Sequence, residues 1–200
     1  MLINQSEINS KNENIVDKNH RDNEYYCYIK THINNVKEAW HRYFERFLTD
    51  DFATIDLVSK EDFINAIKQA RINIEHHDDT KFLDDEFDAY RAKWYPTAKE
   101  LESYNDEIQK QIMEDAYEAA WKHHYTHNPH HPKYWVNEDG TIRDMELAYI
   151  IEMICDWQAV SFMFKGNILS WYENEAIDEK ECFSANTRQI VDYIMYQLLA

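Results

Sequence analysis

Glycine is nearly absent from this chain of 200 residues, in which Gly140 and Gly166 are the only two. Glycine supplies the positive φ angles that tight hairpins and phosphate-binding loops require. The three prolines leave little further material for tight hairpins. Glycine-rich nucleotide sites of the Rossmann and Walker types are therefore effectively excluded.

Apolar residues recur at helical spacings of three or four. After Glu24 these are Ile29, Ile33, Val36, Trp40, Tyr43 and Phe47. Ser59, with Asp62 three residues later, resembles a capping box that opens a second helix. Its inward positions are Phe63, Ile67, Ala70, Ile74 and His77. Strand-period alternation of any length and internal repeats are both missing, so we predict an all-α fold, a compact bundle of about six helices.

Four more helices follow the same pattern. They are a short helix with Phe87, Tyr90 and Trp94 before Pro96, a long one from about Thr97 to Tyr125, a nearly all-apolar one from Met145 to Phe164, and a last one with Ile190, Ile194 and Leu198. In the long helix Leu101, Ile108 and Ile112 are expected to face inward. Gly166 is the expected terminator of the apolar helix.

The chain divides by composition into a tail and a domain. Residues 1–22 are rich in Asn, Lys, Glu, Asp and Ser, which is typical of a mobile polar tail. Residues 23–200 are predicted to form a single domain, because 44% hydrophobic and 14% aromatic residues supply a sizeable core.

Charge and cysteine usage limit the partners. A formal net charge of -17 repels nucleic-acid polymers over long range. No apolar run approaches the roughly 20 residues of a membrane span, and the N-terminus has no signal core. Cys27, Cys155 and Cys182 are widely spaced and are interpreted as reduced thiols. We therefore expect a soluble, cytoplasmic protein without a membrane partner.

Histidine and acidic residues fall at inward positions of four predicted helices: His32, His77 with Asp78, His124, and Asp156. An ionised carboxylate in an apolar helix is costly unless it is paired or binds a cation. For Asp156 alone, a salt bridge to Lys81 or Arg91 is the simpler interpretation. The four positions together favour a metal site. By register, His76 and His123 are alternatives to their neighbours. Two further imidazoles, His130 and His131, lie in the loop that Pro129 and Pro132 keep from being helical.

The order of these residues resembles that of the HD superfamily of metal-dependent phosphohydrolases. The shared elements are His32, the pair His77-Asp78 followed by Lys81, and Asp156, over about residues 30 to 160. The resemblance implies an HD-like helical fold in which those histidines and aspartates bind a divalent metal. It also implies that histidines between the pair and the last aspartate, here His124 and His130 or His131, bind a second ion. The segments Trp121–His124, Asn128–Trp135 and Glu152–Trp157 also resemble an uncharacterised family of small bacterial and phage proteins.

The activity implied is hydrolysis of a phosphate ester, in a small nucleotide or cyclic nucleotide, by metal-activated water. Asp78 is expected to hold metal and orient that water, and Lys81 to contact phosphate, although a salt bridge from Lys81 to Asp84 or Asp85 is nearly as favoured. Imidazole and carboxylate ligands suit one or two ions of Mn, Fe, Co, Ni or Zn. The aromatic residues near these ligands are expected above all to pack in the core, and the alternative is that they stack on a nucleobase. They are Trp121, Tyr134, Trp135 and Trp157.

Three alternatives compete with the phosphohydrolase. Glu38 and His41 form one Glu-x-x-His motif of di-iron helical bundles, which need two copies. The histidine-rich loop is a candidate for a purely structural metal site. The acidic surface also suits a non-catalytic protein that docks on a basic partner or mimics nucleic acid.

Overall fold

The computed structural model describes residues 5–49 and 57–198. In these ranges the helices are α1 (Gln5–Tyr43), α2 (Lys60–Glu75), α3 (Phe87–Trp94), α4 (Ala98–Ser103), α5 (Glu107–His127), α6 (Leu147–Phe164), α7 (Ile168–Asn174), α8 (Ile177–Glu181) and α9 (Ala185–Tyr193). Short 3-10 turns cover Glu45–Leu48, Asp79–Phe82 and Pro132–Trp135, and a π-helical turn covers Ile194–Leu198. The all-α prediction is confirmed, since the only β-pairing within the described ranges is an isolated bridge between Val136 and Ile142.

The predicted start of α2 is confirmed at atomic detail. The Ser59 hydroxyl oxygen accepts a hydrogen bond from the Asp62 backbone amide at 3.1 Å, which satisfies one of the amides that the first helical turn leaves without a partner. The residues buried on the helix are those that the periodicity predicts, from Phe63 to Ile74. Local sequence is therefore sufficient to define this helix.

The single helix predicted from Thr97 to Tyr125 is wrong, because the chain forms two helices there. Asp106 accepts hydrogen bonds from the amides of Ile108 and Gln109, at 2.9 and 3.2 Å. Its side chain thereby replaces a backbone carbonyl and begins α5 as a new helix. Residues expected to face inward are exposed instead, with exposed fractions of 54% for Leu101 and 71% for Ile108.

The end of α6 also differs from the prediction. Lys165, not Gly166, takes the left-handed conformation, with φ of 52°. The Gly166 amide then donates to the Ser161 carbonyl at 2.9 Å, which closes the helix. The prediction that no apolar run approaches the length of a membrane span is wrong for Leu147–Phe164, which by length and composition could cross a membrane, although 56% of it is buried inside the protein. Its buried residues, which include Ile150, Ile151 and Ile154, belong to the hydrophobic core.

Contacts divide the described chain into two compact units, where composition predicted one domain from residue 23. The first unit contains the described residues up to Lys30 together with Asp79–His124. The second contains those of Thr31–Asp78 and from Tyr125 onward.

In the first unit, the segment predicted as a mobile tail is helical from Gln5, and residues 1–4 lie outside the described residues. Its polar side chains have partners there: Lys18 pairs with Asp22 and with Asp88, each at 3.0 Å. Asp17 accepts a hydrogen bond from the Ala98 amide at 2.8 Å. Polar composition alone therefore did not reveal this part of α1, because its partners lie some 70 to 80 residues away in sequence.

The core of the second unit is formed mainly by α2 and α6 with the C-terminal part of α1. Trp40, Ile67, Ile150 and Ile154 are at most 2% exposed. Apolar residues on three helices are thus removed from water together, which is the main stabilising term of such a core. This packing fixes the helices that carry the polar cluster described next.

Candidate metal centre

Four side chains of the second unit meet in one buried cluster. His32 lies on α1, His77 and Asp78 directly follow α2, and Asp156 lies on α6. His32, His77 and Asp78 are 3%, 1% and 1% exposed, and the Asp156 side chain is 16% exposed. The structure thus brings together the two histidines and two aspartates to which the HD-like order assigns the first metal.

The end of α2 settles which histidine of the pair faces inward. His77 continues the buried face three residues after Ile74, whereas His76 is exposed. At Asp78 the backbone turns into the left-handed region, with φ of 59°. Aspartate tolerates that conformation better than most residues, and here it keeps the carboxylate within the cluster.

Interatomic distances in the cluster match a shared cation. Nε2 of His32 lies 3.4 Å from Nε2 of His77 and 3.0 Å from Oδ1 of Asp156. Oδ2 of Asp78 lies 3.6 Å from Nε2 of His32 and 3.5 Å from Nε2 of His77. For metal–ligand bonds of about 2.1 Å, neighbouring donor atoms are about 3.0 Å apart at right angles and about 3.4 Å apart at tetrahedral angles. The residues present therefore fit a divalent metal.

The electrostatics of the cluster are those of mutually compensating charges. Burial raises the pKa of Asp156. The hydrogen bond and charge of His32 and the charges of His77 and His130 lower it by more than burial raises it, so the pKa of Asp156 lies below its ordinary range. Burial lowers the pKa of His77, but Asp78, Glu152 and Asp156 raise it above its ordinary value. A cation placed between these carboxylates would take over the compensating role.

Glu152 belongs to the same cluster and was missed by the sequence analysis. It is 4% exposed, and its Oε1 lies 3.0 Å from Nδ1 of His77 and 3.2 Å from Nδ1 of His130. Burial raises its pKa, but the charges and hydrogen bonds of His130 and His77 lower it to about 2. The available signal was its spacing four residues before Asp156, which puts both carboxylates on one face of α6.

His130 and His131 extend the cluster on the other side of Asp78. His130 is 2% exposed, and its Nε2 lies 3.6 Å from Oδ1 of Asp78. Asp78, His130 and His131 offer ligand atoms within 4.8 Å of one another. The two oxygens of Asp78 thus face different imidazoles, an arrangement able to hold one or two ions.

The remaining predicted residues, His124 and Lys81, lie in the first unit. Nδ1 of His124 and Nδ1 of His123 each lie 2.8 Å from an oxygen of Glu86, which is 0% exposed. Burial raises the pKa of Glu86, and the two histidines lower it below its ordinary value. His124 is the buried member of the pair. The Lys81 ammonium lies 6.0 Å from the Tyr90 ring centroid, and its role as a phosphate contact stays a prediction.

Two of the alternative interpretations are answered by the contacts. Asp156 pairs with imidazoles, and Arg91 pairs with Asp22 and Glu100 within the first unit. The motif of Glu38 and His41 is exposed, and each residue makes an ion pair along α1 or just beyond it. It therefore does not form a buried di-iron half-site.

Comparison with known proteins places the chain without naming its activity. No curated protein and no solved structure matches it. Residues 21–197 match a protein family of unknown function, DUF5662. That match spans most of the chain and includes every residue of the cluster, and the chain therefore belongs to the family DUF5662.

Proposed function

We propose that this protein is a metal-dependent phosphohydrolase of the HD type. The observation that carries the proposal is the set of ligand atoms from His32, His77, Asp78 and Asp156, in which the two imidazoles lie 3.4 Å apart and each lies 3.0 to 3.8 Å from an oxygen of both carboxylates. The order of these residues along the chain, with Lys81 after the His-Asp pair, supports the HD assignment.

Each residue has a distinct task in the proposed site. His32, His77, Asp78 and Asp156 would hold one divalent ion of the Mn, Fe, Co, Ni or Zn group. Asp78, His130 and His131 would hold a second. When bound, such an ion lowers the pKa of a water molecule and stabilises charge on phosphoryl oxygens. Asp78 would also orient the attacking water, and Lys81 would contact the phosphate of a small phosphorylated substrate.

The burial of the cluster supports such chemistry. Water is largely excluded around His77 and Asp78, so the polar groups there interact more strongly than they would in bulk water. Because Cys27, Cys155 and Cys182 are reduced thiols, as is usual in a reducing compartment, we propose a cytoplasmic location.

The test begins with metal content. Purified protein should contain at least one equivalent of a divalent metal by elemental mass spectrometry. His77→Ala and Asp156→Asn should lose nearly all of it, because each removes a ligand. His76→Ala is the matched control, since the neighbouring imidazole is exposed, and it should retain the metal of the native protein.

Activity is tested on the same preparations. With added Mn²⁺ or Co²⁺, the native protein and His76→Ala should hydrolyse members of a panel of nucleotides, cyclic nucleotides and generic phosphodiesters, and the two ligand variants should not. Native metal content in folded His77→Ala and Asp156→Asn would refute the metal site. Metal binding without turnover across the panel would favour a structural metal instead.

A further inference from the structure

A second feature of the second unit lies on α6, the helix that also carries Asp156 of the proposed metal site. A cavity of about 450 Å³ opens at the C-terminal half of α6 and along α7. This volume is within the range of about 300 to 1,000 Å³ that is typical of small-molecule sites. We propose that the cavity binds the base of a nucleotide whose phosphate lies at the metal centre, an inference that rests on the proposed function and specifies its substrate.

The walls of the cavity are suited to a planar ring. Trp157, Phe164 and Trp171 contribute aromatic side chains. The rings of Trp157 and Trp171 meet edge to face, with centroids 5.1 Å apart and an interplanar angle of 65°. Phe164 is 73% exposed, so it stands at the rim, where it can cover an inserted base by stacking.

The polar lining distinguishes a base from a phosphate. Ser161, Asn167 and Ser170 line the cavity and offer hydroxyl and amide groups to the edge of a base. Glu175 is the one charged side chain among the described residues that line it, and it is acidic. An anionic phosphate would be repelled there, whereas a neutral heterocycle would not.

The position of the cavity along α6 links it to the metal centre. Val160 lines the cavity, and it follows Asp156 by four residues on the same helix. Such residues are neighbours on the helix surface, with Cβ atoms about 5 to 6 Å apart. Phe164 lies one turn further, about 12 Å along the axis from Asp156. The sugar of a single nucleotide can therefore join a base in the cavity to a phosphate at Asp156.

Adenosine is the probe for the test, because it carries a base and sugar but no phosphate and so does not require the metal. Isothermal titration calorimetry on the full chain should detect adenosine binding and no binding of ribose. Phe164→Ala should weaken adenosine binding about 5- to 150-fold, the equivalent of one stacking contact. Because Phe164 is exposed, this change leaves the core intact. Trp171→Ala should have a similar effect.

The control is Trp94→Ala, which removes an equally large aromatic residue that is 60% exposed in the first unit, and it should bind adenosine as the native protein does. The ligand variant His77→Ala should lose metal but keep adenosine affinity, so failure of the metal site and failure of the cavity are distinguishable. Absence of adenosine binding to the native protein, or unchanged affinity in folded Phe164→Ala and Trp171→Ala, would overturn the proposal.

Discussion

Replacement of Glu152 tests how the cluster orients its histidines. The single oxygen Oε1 contacts Nδ1 of both His77 and His130, which leaves Nε2 of each ring facing Asp78. A carboxylate that accepts from Nδ1 in this way selects the tautomer whose Nε2 lone pair can bind metal. Glu152 is therefore expected to position two metal ligands without binding the metal itself.

The magnitude follows from the number of rings that depend on Glu152. Loss of one such supporting partner costs about 10- to 100-fold in metal affinity, or about 1.4 to 2.7 kcal/mol. Glu152→Ala removes the acceptor of both rings, so we expect a loss of about 100-fold. Glu152→Gln keeps one acceptor oxygen in place for both rings, so we expect about 10-fold or less.

The assay is calorimetric titration of Mn²⁺ into metal-free protein, with Co²⁺ absorption spectra as a second measure of ligand geometry. Glu146→Gln is the control, because Glu146 is exposed just before the same helix. Thermal unfolding is followed in parallel, since Glu152→Ala also leaves two buried imidazoles without their acceptor, a cost of about 1 to 3 kcal/mol each. Native metal affinity in folded Glu152→Ala would refute the positioning role, and equal losses in Ala and Gln would assign the effect to charge alone.

Two further predictions concern stability. Tyr172, 0% exposed, donates to Asp192 at 2.6 Å, and burial together with this bond raises its pKa above the ordinary value. The contribution of the Tyr172 hydroxyl to the free energy of unfolding is therefore complete below about pH 10 and declines as the pH rises further. Tyr172→Phe should lower the free energy of unfolding by about 1.5 kcal/mol at pH 8 and by less at pH 11, measured by urea unfolding. An equal cost at both pH values would contradict this linkage. The Arg91 side chain is 3% exposed and pairs with Asp22 and Glu100. Arg91→Leu should destabilise the protein by about 3 kcal/mol, because it leaves both carboxylates without their cation. Arg42→Leu is the exposed control and should change the urea midpoint little; a similar shift in both variants would contradict the buried pairing.

Helix α2 shows what local sequence can predict. Its cap at Ser59 and its buried stripe depend on residues within one or two turns of one another, so the pattern reveals both. The exposed face of Ile108 and Ile112 was not predictable in the same way. An apolar stripe shows which side of a helix prefers burial, and the rest of the fold decides whether a partner covers that side.

In the candidate site, too, the sequence predicted some residues and not others. The residue types and their order, from His32 through His77-Asp78 to Asp156, indicated a metal site because imidazole and carboxylate groups at inward positions are costly without a cation. Glu152 escaped notice because its role depends on which nitrogen of two distant histidines it contacts. That information is absent from spacing within α6.

By itself, the sequence determined an all-α chain, the start of α2, and the inward position of His77 on the stripe that runs from Phe63. Only the tertiary structure decided that Asp78 turns its two oxygens toward different imidazoles and that Glu152 contacts Nδ1 of both His77 and His130. The physical reason is the distance along the chain between the residues that make each contact. Helix caps and periodicity arise from contacts a few residues apart, whereas the cluster joins residues separated by 45 and 75 positions in the chain, whose approach depends on the packing of whole helices.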